Sequence, residues 1–130
     1  MKPEMVFKKK ARENFLVAKS CCATHTNAAG GRIYYAGFQA VVGELEKLGV
    51  EPHKIDRGAA SAFEDRGTKW THSFVKNNAS LAQLSARQSS ALKVAYELRK
   101  TADYEAEEVD PNDVKDLLAP IEDILECLGA

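Results

Sequence analysis

Apolar residues along this chain recur at the spacing of helices. Phe7, Ala11, Phe15, Ala18 and Cys22 fall at steps of four and three, which predicts an amphipathic helix up to about Cys22 with a basic outer face. A second stripe, Ile33, Ala36, Gly37, Ala40, Val41, Leu45 and Leu48, runs from Ala28 to Gly49. Thr26 and Asn27 are placed to cap its start and Gly49 to stop it. Gly30, Gly31, Gly37 and Gly43 lie at its start or inside it. Each lowers helix propensity by up to about 1 kcal/mol, a cost that makes sense where another backbone approaches closely.

Pro52 opens a less regular stretch. There Ile55, Ala59, Ala60 and Phe63 predict a shorter helix, broken at Gly67 before Trp70 and Phe74. From Ala79, the residues Leu81, Leu84, Gln88, Ala91, Leu92, Ala95, Leu98 and Ala102 form a long stripe in a segment rich in Ala, Leu, Gln, Lys and Arg. Asp110, Pro111 and Asp113 supply an N-cap, a first-turn proline and an early acid for the last stripe, Val114, Leu117, Leu118, Ile121, Leu125 and Leu128. Pro120 is expected to kink or loosen that helix. No run alternates with period two long enough for a strand. The pattern therefore predicts a single all-α domain over residues 1–130, an up-and-down bundle of four or five helices.

Composition narrows the class of molecule. Hydrophobic residues make up 45% and charged residues 28%, values of an ordinary globular domain that exclude wholesale disorder and a collagenous repeat. No stretch approaches the apolar length of a membrane span, and Lys8, Lys9 and Lys10 are followed by polar residues, so neither a membrane role nor a secretory signal is expected. Cys21, Cys22 and Cys127 are an odd, badly spaced set for disulfides, which fits a reduced, cytoplasmic setting. His25, His53 and His72 lack the spacing of a zinc site, so no metal and no cofactor is expected. The net charge of -1 conceals two halves: residues 1–104 carry 17 basic and 10 acidic groups, residues 105–130 one basic and nine acidic. A basic body with an acidic final segment suits a polyanionic partner, or a bundle whose halves neutralise each other through contacts such as Arg32 with the last helix.

Two stretches concentrate the candidate chemistry. The second helix contains Arg32-Ile33-Tyr34-Tyr35-Ala36-Gly37-Phe38, and the fourth ends Leu98-Arg99-Lys100-Thr101-Ala102-Asp103-Tyr104. Together, and in this order, they resemble the paired signatures of the HEPN superfamily (higher eukaryotes and prokaryotes nucleotide-binding), in the branch with an Arg-x-Tyr-Tyr-Ala-x-Phe helix and a Leu-Arg-x-x-Ala-Asp-Tyr helix. The resemblance runs from about Ala11 to Cys127. It implies a helical bundle that forms a homodimer over RNA, often a metal-independent ribonuclease of toxin-antitoxin or phage-defence systems. A nucleotidyltransferase or antitoxin partner is implied as well. In active members an Arg steadies the phosphorane charge while a His a few residues on transfers the proton at the ribose 2′-oxygen.

This chain departs from that pattern, because no His follows Arg99; Asp103 and Tyr104 occupy the neighbourhood. Arg99, Asp103 and Tyr104 are the candidate catalytic residues carried over from the resemblance. An Asp four residues from an Arg on one helix face has its pKa pushed down, so Asp103 is a poor base, and an Arg99–Asp103 ion pair ordering the bundle is the competing reading. Arg66 and His72 reproduce the ribonuclease spacing by sequence, and with Lys69, Trp70 and Lys76 they form a basic cluster holding an aromatic that could stack on a base. Chance alone yields such a spacing often. Arg32, Tyr34, Tyr35, Arg66, Lys69 and His72 are thus candidates for contact with nucleic acid or a partner. Tyr35 and Phe38 are expected in the core and Tyr34 half exposed. A noncatalytic dimerisation or partner-binding module is the alternative to a nuclease.

Overall fold

The computed structural model describes residues 2–50 and 70–130. These form five helices: α1 (Pro3–Cys21), α2 (Thr26–Lys47), α3 (His72–Asn78), α4 (Ala86–Tyr104) and α5 (Pro111–Cys127), with a 3-10 turn over Ala79–Ala82. No strand occurs among the described residues. The helix predicted around Ile55 to Phe63, together with His53, Arg66 and Lys69, lies outside them.

Helix α2 is the axis of the bundle and touches every other helix. Its partners fix the directions. Lys8 meets Glu44 and Asn14 meets Gln39, so α1 runs antiparallel to α2. Gly30 faces Ala102 while Gly37 faces Leu92, so α4 is antiparallel as well; Gly30 also faces Val109 and Gly37 faces Ile121, so α5 runs with α2. The four long helices are therefore up-and-down in chain order. Between them lie Phe15, Ile33, Val41, Leu45, Val114, Ile121, Ile124 and Leu125, each fully buried. At about 25 cal/mol per Å² of apolar surface, packing of these stripes supplies most of the helices' stability.

The close approach expected at the glycines occurs at two of them. A Cβ on Gly37 would stand 2.9 Å from Leu92 Cδ1 and 3.1 Å from Ile121 Cδ1, and one on Gly43 would stand 3.1 Å from the Glu4 carbonyl oxygen. At Gly31 nothing lies nearer than 3.8 Å.

The ends of the helices follow local chemistry. Gly49, at φ 79°, closes α2 in a Schellman motif, with Val50 N–H donating to the Leu45 carbonyl. Asp110 caps α5 by accepting from Asn112 N–H at 2.9 Å, and Pro111 occupies the first turn. Two expected starts are corrected. Thr26 and Asn27 do not cap α2: the Thr26 hydroxyl donates to the Cys22 carbonyl and Asn27 Oδ1 accepts from Val109 N–H, so both tie the α1–α2 corner to its neighbours. The stripe expected to be helical from Ala79 is interrupted. Gln83 turns into the left-handed region at φ 58°, and α4 begins only after Ser85, whose hydroxyl forms a capping box with Gln88. Helix α5 continues through Pro120, whose missing N–H removes the helical hydrogen bond to the Asp116 carbonyl.

Candidate functional site

Helices α2, α3 and α4 converge on one side chain, Tyr34. It is 3% exposed, the reverse of the expectation, whereas Tyr35 and Phe38 are only half-buried. The reason is the company it keeps: its ring stacks on Phe38 at 5.5 Å and meets Tyr96 at 5.6 Å and Tyr35 edge-on at 5.2 Å. Its hydroxyl lies 2.9 Å from Nδ1 of His72, in the first turn of α3. Thr71 holds that turn by accepting from Phe74 N–H. The imidazole lies flat on Tyr96, 3.5 Å between centroids and 9° between planes.

Arg99 also stands against Tyr34. Its guanidinium carbon is 5.7 Å from the Tyr34 ring, 5.2 Å from Tyr35 and 5.4 Å from Tyr104, a cage of three π faces. Nη2 donates to the Tyr104 hydroxyl at 3.2 Å, and Nε is 3.5 Å from Asp103 Oδ2. That last contact is an ion pair without hydrogen-bond alignment, since Nε is buried and makes no hydrogen bond. Helical spacing assembles this half of the site: Tyr96, Arg99, Lys100 and Asp103 share one face of α4.

Electrostatics fix the protonation states. Burial pushes the Tyr34 phenol far above its ordinary pKa, with Arg99 only partly opposing, so the hydroxyl keeps its proton. Burial lowers the His72 pKa, Lys76, Arg99 and Lys100 lower it further and Glu97 opposes them, so the imidazole is neutral at neutral pH. For Arg99, burial pulls downward but Tyr35, Tyr104 and Asp103 outweigh it and hold the pKa above the ordinary value. His72 is the hydrogen-bond partner that the described residues offer the Tyr34 hydroxyl. Satisfying that buried donor makes the phenol donate to Nδ1, which leaves the imidazole proton on Nε2. The site thus presents hydrogen-bond donors and cations. Its two carboxylates are already engaged, Asp103 by Arg99 and Glu97 by Lys100 at 3.2 Å.

Of the residues singled out in the sequence, Arg99, Asp103, Tyr104, Tyr34, Tyr35 and His72 come together. Arg32 does not. It projects from another side of α2, where Nη1 donates to Asn14 Oδ1 at 2.9 Å, and it makes no contact with the acidic last helix. Sequence reasoning missed Tyr96 and Lys100 as site residues; their signal was the spacing of three and one residues from Arg99. Among the described residues no group of three His, Cys, Asp or Glu is placed to hold a metal ion, and no helix is long and apolar enough to cross a membrane. No family model matches this sequence, and no curated protein matches it significantly.

Proposed function

We propose that this is a cytoplasmic HEPN-type bundle that binds RNA through its sugar–phosphate backbone and does not itself cleave it. One observation carries the reading: the Tyr34 hydroxyl lies 2.9 Å from Nδ1 of His72. With the phenol donating there, the site offers Arg99, Lys76, Lys100 and the His72 Nε2–H as donors and no base. Cleavage at a ribose 2′-oxygen needs a group to accept that proton, whereas a phosphate needs only donors. Tyr104 sets an exposed ring beside Arg99, the pairing of aromatic and cation that tracks a single strand. The resemblance of the two helical signatures supports RNA as the polyanion and a homodimer as the assembly. Tyr104, 72% exposed beside Arg99, is a surface suited to a second copy or a nucleotidyltransferase partner. A ribonuclease is the second reading, favoured by the presence of an Arg and a His against one tyrosine.

Fluorescence anisotropy of a labelled single-stranded RNA in EDTA tests the proposal, with gel analysis of the same samples. The expected result is salt-sensitive binding to intact RNA, weakened about tenfold in Arg99→Ala and in Lys100→Ala at unchanged helicity. Affinity unaltered in both variants overturns the binding site. RNA cut by the wild type and spared by His72→Ala overturns the noncleaving assignment and establishes the nuclease.

A further inference from the structure

Beside the Tyr34 cluster, a cavity of about 480 Å³ opens between α3 and α4. Its floor is apolar, made by Phe38, Val75 and Leu92, and its inner end is the stacked His72–Tyr96 pair. A lysine stands on each wall: Lys76 on α3 and Lys93 on α4. Neither has a carboxylate partner among the described residues, whereas Glu97 at the same opening is neutralised by Lys100. The lining runs along α4 from Ser89 to Glu97, about 12 Å at the rise of a helix. Volume, an apolar floor and a few convergent polar groups are the attributes of a small-molecule site.

We infer that this cleft binds a small organic anion with an aromatic body, an aryl carboxylate being the chemical class that fits. The ring lies on half-buried Phe38 and between the lysine stems, above Val75 and Leu92, which are themselves buried beneath it. The carboxylate lies between Lys76 and Lys93, whose stems line the walls while their ammonium groups reach the opening. A peptide helix would need a longer apolar groove without opposed lysines. The inference does not rest on the RNA-binding reading: Lys76, His72 and Tyr96 border both sites, but Lys93, Ser89 and Val75 belong to the cleft alone.

The full chain is titrated with anilinonaphthalene sulfonate, an aromatic anion that fluoresces in apolar surroundings, and competed with phenylpropanoate, phenylpropanol and the labelled RNA. The expected result is one saturable site per chain, displaced by phenylpropanoate at least tenfold better than by the isosteric alcohol. Lys93→Glu and Lys76→Glu each weaken the probe about tenfold, and Ser89→Trp, an exposed change at the rim, blocks it without loss of helicity. Equal displacement by acid and alcohol, or an affinity indifferent to both lysine reversals, overturns the proposal. So does displacement by RNA but not by phenylpropanoate, which would make the cleft an extension of the RNA surface. Loss of RNA binding in the earlier experiment leaves the expected result here unchanged.

Discussion

Tyr34 belongs at once to the core and to the site. A phenol with its ring among Phe38, Tyr96 and Tyr35 and its hydroxyl on His72 positions the imidazole as a side-chain hinge pin, so Tyr34→Phe removes the pin without emptying the space. The expected loss is about 1 kcal/mol in urea unfolding, the worth of one hydrogen bond. His72 gives a sharper signature. Its folded pKa lies below the ordinary 6.5, so below about pH 6.5 the unfolded chain takes up a proton that the folded chain refuses. The contribution is complete above that pH and declines as pH falls toward the folded value. Thermal melts between about pH 7 and pH 5 should show the wild type losing more stability than His72→Gln. Equal losses would mean that His72 titrates alike in both states. None of this was legible in the residue order. The spacing singles out Arg66, which lies outside the described residues, as the partner of His72; among the described residues the arginine packed against Tyr34 is Arg99, from a different helix.

At the scale of elements, the stripes of Phe15, Val41, Ala95 and Ile121 were legible because a helix must bury one face, and periodicity states which. Boundaries were less so where two signals compete. Leu81 and Leu84 extend the α4 stripe backward in perfect register, yet Gln83 turns left-handed and Ser85 restarts the helix; Leu81 ends up half exposed. Likewise Thr26 and Asn27 have the side chains of caps, but the Cys22 carbonyl and the Val109 amide claim them first. The glycines give the cleanest test of packing against propensity. Gly31→Ala adds a methyl where the nearest atom is 3.8 Å away, and stability should rise by up to about 1 kcal/mol. Gly37→Ala places the same methyl 2.9 Å from Leu92 and 3.1 Å from Ile121, both held in the core, and should cost about 1–2 kcal/mol net. Chemical denaturation that ranked the two variants alike would show that α2 and α4 slide apart freely.

Across the whole molecule the charge asymmetry is real in sequence and, among the described residues, weakly expressed in contacts. Arg12 bridges the halves, with its Nη1 3.8 Å from Glu122 and its Nη2 donating to the Ala130 carbonyl at 2.7 Å, but Arg32 turns to Asn14 instead of α5. A partly exposed pair at that distance contributes little, so Glu122→Gln should move stability by less than about 0.5 kcal/mol at any ionic strength. A larger, salt-dependent drop in melting temperature would mean that the acidic segment holds the basic body together. Among the described residues Lys76 and Lys93 beside the site carry no carboxylate partner, so an approaching anion meets those two charges first.

The position of Trp70 has an optical consequence. It is the chain's one tryptophan, and it stands just ahead of α3 with its ring edge toward Phe74, two residues from the imidazole of the site. A protein with a single indole has a single emission spectrum to interpret. Here that lamp rests on Phe74 of α3 and outside the lining of the α3–α4 cleft, so a colour change on adding RNA or an aryl acid reports the seating of α3 and not contact of the indole with the ligand.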